Sequence, residues 1–186
     1  MMFGEPLHLP RRGLIALLAA LLVPAAALAA DRSALQRDAR KAYDKLVASV
    51  PAAKSLSASA TAVLVFPKIT KAGLGIGGQY GDGVLFKGGQ AVGYYNTSGA
   101  SWGLQAGAQT YGYAMFLMND KAVAALGANE GFEVGVGPSV VVMDEGKAKT
   151  MTTTTAKDDI YAFIFGQKGL MAGLGIQGNK ISRLKD

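Results

Sequence analysis

The sequence predicts an α+β fold: a curved, glycine-rich antiparallel β-sheet or small barrel, with an N-terminal amphipathic helix and one further helix. Three observations carry this. Residues 31–50 place apolar side chains at three- and four-residue spacing, the period of a helix with one buried face. From residue 62 onward, short runs rich in β-branched and aromatic residues alternate with glycine-containing turns. Along several of those runs glycine recurs at every second position, which on a strand collects it on one face.

The first thirty residues read as a leader rather than as part of the fold. Arg11 and Arg12 precede the apolar run 14–23, Pro24 interrupts it, and Ala27-Leu28-Ala29 supplies an A-x-A cleavage pattern. The whole apolar stretch 13–30 is about the minimum length for a membrane span, but its proline and small alanines fit a cleavable signal better. Export by the general or the twin-arginine route is therefore expected, with processing after Ala29 or Ala30 and a single domain over residues 31–186. Cleavage removes His8, the only histidine, and the chain has no cysteine. It also removes Arg11, Arg12 and Glu5, lowering the net charge from +6 to +5.

In the helix expected over 31–50, Leu35, Ala39, Ala42, Tyr43, Leu46, Val47 and Val50 form the apolar stripe. Ser33 and Gln36 have capping-box spacing, and Pro51 ends the helix. Arg32, Arg37, Arg40, Lys41 and Lys45 occupy the other faces, a pattern that serves equally for lying on an anionic surface and for packing on a sheet. A second short helix follows over 52–59. Strands are expected over 62–66, 73–80, 83–87, 91–95, 102–117, 133–136, 139–143, 148–155, 160–165 and 170–177, with a hairpin turn at Asp144-Glu145-Gly146. A helix capped by Asn119 or Asp120 interrupts them.

The alternating glycines Gly73, Gly75 and Gly77, with Gly103 and Gly107, let a sheet bend sharply or another backbone approach. Residues 72–76 recur identically at 172–176, which suggests two related hairpins at the two ends of one sheet. The stretch 73–78 formally satisfies G-x-G-x-x-G, but it leads into strand and turn residues rather than a helix, so it fails as a dinucleotide loop.

Catalytic chemistry finds little material. Triads and zinc sites need His or Cys, which residues 31–186 lack. The carboxylates of the sheet region fall mostly in turns and caps, where Asp serves the backbone. No catalytic residue, metal ligand or cofactor is nominated, and the reading is a non-enzymatic protein. Export and the absence of a dense basic run disfavour nucleic acid.

From Val63-Leu64-Val65-Phe66-Pro67-Lys68 through Lys71-Ala72-Gly73-Leu74-Gly75 and Gly81-Asp82-Gly83, the chain resembles the SYLF domain family. The likeness continues at residues 102–109 and 135–138, at Ile160-Tyr161-Ala162-Phe163 and at 168–173. The resemblance implies a domain that binds membrane lipids, phosphoinositides in eukaryotic members, with actin binding known for some of those. It also implies contacts from the N-terminal amphipathic region and nearby basic residues: Arg32, Arg37, Arg40, Lys41, Lys45 and Lys54, with Lys68 and Lys71. The expected function is binding to anionic phospholipid or a membrane surface in the periplasm or cell envelope. The alternatives are an envelope scaffold acting through a protein partner and a small outer-membrane barrel.

Overall fold

The computed structural model describes residues 31–127, 131–133, 139–143, 157–169 and 179–185. The chain divides into two compact units, residues 1–34 and Leu35 onward. Of the first unit the described part is residues 31–34, which belong to helix α1, described over residues 31–49. Ser33 thus lies within α1 and does not mark its start as the capping-box spacing predicts. Val50, extended at φ −120° and ψ 105°, separates α1 from helix α2 (Pro51–Ser57), where proline takes the first-turn position that needs no N–H donor.

Two long strands dominate the second unit. β1 (Ala62–Lys87) has 26 residues and β2 (Gln90–Leu117) has 28, where the sequence suggests five separate strands. They pair antiparallel from Ala62↔Leu117 to Lys87↔Gln90. The closing turn is Gly88-Gly89, at φ 57° and 80°, a pair of left-handed positions that glycine occupies without cost. Helix α3 (Asp120–Leu126) follows, and Asn119 caps it by accepting from Ala122 N at 2.9 Å.

β3 (Phe132–Glu133), β4 (Val140–Met143), β5 (Ile160–Gly169) and β6 (Lys180–Arg183) complete the described sheet, in the order β3-β6-β2-β5-β4 with β1 also on β2. β2 holds β5 along residues 109–117 and β6 along residues 95–98, so one long strand serves both halves. The sheet is antiparallel except for β4, which runs parallel to β5 from Val140↔Ile160. That exception is anchored by Asp159, which accepts from Asn119 Nδ2 at 2.7 Å and from Ser139 N at 3.0 Å. These bonds hold its carboxyl below the usual range. The strands expected over 148–155 and 170–177, the Asp144-Glu145-Gly146 turn and the second copy of the repeat lie outside the described residues.

The sheet is folded over its own inner face. A Cβ on Gly83 would lie 2.5 Å from the Phe66 ring, one on Gly81 2.8 Å from Ile69 Cγ1, and one on Gly73 2.4 Å from Gly77 Cα. Residues 66 and 83, 69 and 81, and 73 and 77 therefore meet in pairs, and β1 turns back at 74–76. Here glycine is required by contact: the returning strand occupies the space a side chain would need. The irregularity in pairing between Leu74 and Ile76 marks the same corner.

Two apolar clusters result. The inner one joins Leu64, Phe66, Ile69, Leu85, Tyr95, Tyr113, Met115 and Leu117 with Ile160 and Ile181, and α3 adds Ala122 and Leu126. The outer one sets Ala39, Leu46, Ala53 and Leu56 of α1 and α2 against Val63, Val65, Phe116, Tyr161 and Phe163. Leu35, Ala42, Tyr43, Val47 and Val50 flank it, so the apolar stripe read from the sequence is the face that packs on the sheet.

The bend gives a sharp test. Gly73→Ala should lower stability by about 1–3 kcal/mol, the usual cost of overpacking a site that cannot relax. Gly78→Ala, whose added carbon meets only Gly99 O at 3.7 Å, should be nearly neutral. Chemical denaturation of both variants checks the contrast.

Candidate functional site

The site begins with two interruptions in the ladder at one level of β2. On one side Pro67 and Lys68 of β1 stand opposite Gly112 alone, because the pairing steps from Phe66↔Tyr113 to Ile69↔Tyr111. On the other side Gly166 and Gln167 of β5 stand opposite Tyr111 alone, between Gly112↔Phe165 and Thr110↔Lys168. An extra residue on each neighbour bends both strands and re-aims their side chains. α1 crosses above this level, and a cleft of about 550 Å³ opens between them. Its walls are Asp38, Lys41, Ala42 and Lys45 of α1, Pro67 and Lys68, Thr110 to Gly112, and Phe165, Gly166 and Lys168.

Four lysines therefore share one cleft with one aspartate. Lys41, Lys45, Lys68 and Lys168 are all exposed. Their proximity in a concave site raises the local potential and attracts anions such as phosphate esters. Among the described residues no group of three or more metal-ligating side chains occurs.

The residues nominated from sequence separate into distinct environments. Lys41, Lys45 and Lys68 converge on the cleft. Arg40 does not join them. Its guanidinium lies 4.3 Å from the centre of the Phe86 ring and 5.9 Å from that of Tyr43, and it donates to the carbonyl of Gly89. It ties α1 to the β1–β2 turn. Arg37 is exposed on α1, and Lys54 is exposed in the last turn of α2. Arg32 is half-buried on α1, within the first unit.

Lys71 is 5% exposed and faces inward, opposite Gln109 in register. It belongs to a buried polar group near the bend, in which Tyr111 Oη donates to Gln79 Oε1 at 2.9 Å. Gln79 Nε2, Gln109 Oε1 and Tyr113 Oη are buried without a hydrogen-bond partner. Lys168 is the cleft lysine that sequence reasoning did not nominate. Its signal was the Lys-Gly pair preceding the second copy of the repeat, but only pairing with Thr110 brings it beside Lys68.

A folded-over sheet with a helix on its outer face and a basic cleft at their junction defines a binding domain. The family model described as Ysc84, the Las17-binding protein actin regulator, matches residues 98–186. Over that span the chain is similar to this family, which supports the SYLF resemblance carried by the motifs. Among curated proteins none matches the chain. That similarity supports a role in binding lipids or protein partners in general.

The buried phenols fix an alkaline limit. Burial pushes the Tyr111 hydroxyl up to about 12, and Tyr113 is raised further by burial and by Tyr111 beside it. Both values lie above the ordinary 10.0, so the stability tied to the neutral phenols is complete below pH 10 and is lost as pH rises through about 12. Phenolate absorbance from these two residues should appear together with loss of the β-sheet circular dichroism signal. Ionisation of both near pH 10 with the sheet intact would contradict this burial.

Proposed function

We propose that the protein is an exported, non-enzymatic domain that associates reversibly with anionic phospholipid in the cell envelope. The observation that carries the reading is the convergence of Lys41, Lys45, Lys68 and Lys168 on one cleft. A lipid phosphate carries the charge this cleft attracts, and each lysine near an anionic surface contributes about 1 kcal/mol at moderate ionic strength. The leader-like segment with Arg11, Arg12 and the run 14–23 supports the location. It also sets this chain apart from the actin regulation in the matched family's name, since an exported protein meets membrane before cytoskeleton. No helix among the described residues is long and apolar enough to cross a membrane.

Flotation with vesicles tests the reading. The protein should rise with phosphatidylglycerol-containing vesicles and remain behind with neutral phosphatidylcholine. Replacing the four cleft lysines with glutamine should weaken binding at low salt by about a hundredfold or more, given the per-lysine contribution. Thermal unfolding should be unchanged, because all four side chains are exposed. Equal binding to both vesicle types would sink the proposal, and so would full binding by the quadruple variant. Arg40→Gln is the contrasting substitution: its loss from Phe86 and Gly89 should lower the melting temperature.

The export component has its own readout. Mass analysis of protein recovered from the envelope of an expressing cell should show a chain beginning at Ala30 or Asp31. Recovery with Met1 or Met2 still attached would refute processing.

A further inference from the structure

The bend in β1 has two faces with opposite fates. Inside it, Gly73 and Gly77 touch, and Lys71 and Gln79 are buried. Outside it, Leu74 is 83% exposed and Ile76 62% exposed, and Tyr80 is exposed just beyond. Large aliphatic side chains this accessible, next to one another on a rigid corner, form an apolar feature that the fold itself does not use. They share an outer face with the cleft. From Lys68 to Tyr80 the even-numbered residues point outward and the odd-numbered inward, apart from the glycines at the corner. Among the described residues, those exposed on this face between the cleft and the corner are Thr70, Ala72 and Ala108, none of them charged.

We infer that the bend at residues 74–76 is a membrane-inserting edge, with Leu74 and Ile76 entering the headgroup–acyl boundary while the cleft lysines face the phosphates. The inference rests on the lipid-surface reading above and adds the element that penetrates. Three features favour a bilayer as the occupant. The apolar residues crown a convex corner, which a fluid boundary can surround more readily than a protein surface can. The charge behind them is positive, complementary to anionic headgroups. The spacing also fits. At about 3.3 Å per residue, Leu74 lies about 13 Å from the Thr70–Thr110–Lys168 row and about 20 Å from Lys68. A corner dipped about 5–10 Å into the boundary then leaves the lysines within about a Debye length of the headgroups. The glycine contact at the corner keeps the edge narrow, so insertion displaces little lipid.

The test compares the full chain, expressed with its leader, with the double variant Leu74→Ser, Ile76→Ser. Both side chains are exposed, so the variant should melt like the parent. Sedimentation uses mixed phosphatidylglycerol and phosphatidylethanolamine vesicles at low and high salt, because salt screens the lysines and leaves apolar burial intact. At high salt the parent should retain binding and the variant should lose at least about tenfold, the scale of two aliphatic side chains partly withdrawn from water. The parent should also raise the surface pressure of a monolayer of the same lipids, and the variant should not. Equal salt response and equal penetration would overturn the inserting edge while leaving the cleft reading in place. Failure of the parent to bind anionic vesicles at any salt would remove both. Self-association of the parent, abolished by the double variant with lipid binding unchanged, would assign the corner to a second copy and overturn the inference.

Discussion

A strand of 26 residues, drawn straight, would run about 86 Å, whereas a domain of this size has a radius of gyration of about 15 Å. β1 and β2 are both of that length and are hydrogen-bonded to each other nearly throughout, so neither can fold without the other. The pair has to turn back as a ribbon, and it does so where Gly73 meets Gly77. The inner cluster depends on that closure. Phe66 reaches the space over Gly83, and Ile69 the space over Gly81, only because the two halves of β1 lie face to face. The assignment of β5 to one half of β2 and β6 to the other follows as well, since a folded β2 offers its edge twice.

Closure also places polar groups where water cannot follow. Lys71, Gln79 and Gln109 are buried near the corner, next to the phenol of Tyr111. Buried polar atoms without partners are costly in a medium of low dielectric constant, and among the described residues two of them, Gln79 Nε2 and Gln109 Oε1, occur here. The apolar material lies farther from the corner, in Phe66, Tyr113, Met115 and Leu117, where Phe66 and Tyr113 stack with centroids 6.3 Å apart. The half-sheets are thus clamped by apolar packing at their far end and joined through polar contacts near the fold.

The sequence made some of this legible and concealed the rest for identifiable reasons. The α1 stripe from Leu35 to Val50 was readable because one helix face carries nearly all its apolar bulk, and Asn119 announced α3 because capping is a local interaction. The curvature was readable from the alternating glycines. Their breaks in hydrophobicity also disguised β1 and β2 as five short strands, since glycine signals a turn and a bend alike. The parallel β4–β5 pair was not legible. It is set by Asp159 bridging Asn119 and Ser139, partners 40 and 20 residues away. Among the nominated basic residues, sequence could not separate Lys68 from Lys71. Both fall between the strands expected over 62–66 and 73–80, whereas β1 runs through them, and three positions apart on one strand they emerge on opposite faces, one at the cleft and one in the interior. Arg40 and Lys41 are adjacent in the chain, yet a turn of 100° per residue sends one to Phe86 and the other to the cleft.

The two features that meet solvent have a common origin in the demands of the long strands. The corner exposes Leu74 and Ile76 because a sharp bend buries one face and leaves the other with nothing to pack against. The cleft exists because β1 and β5 each carry extra residues at the level of Tyr111 and Gly112, so the sheet surface dips beneath α1. Both occur along a single face of β1, separated by threonine and alanine. An arrangement dictated by the geometry of folding a ribbon thereby sets a positively charged recess behind an apolar corner. Charge governs approach and apolar contact governs retention, so their joint placement on one rigid strand couples the two steps of adsorption to a surface.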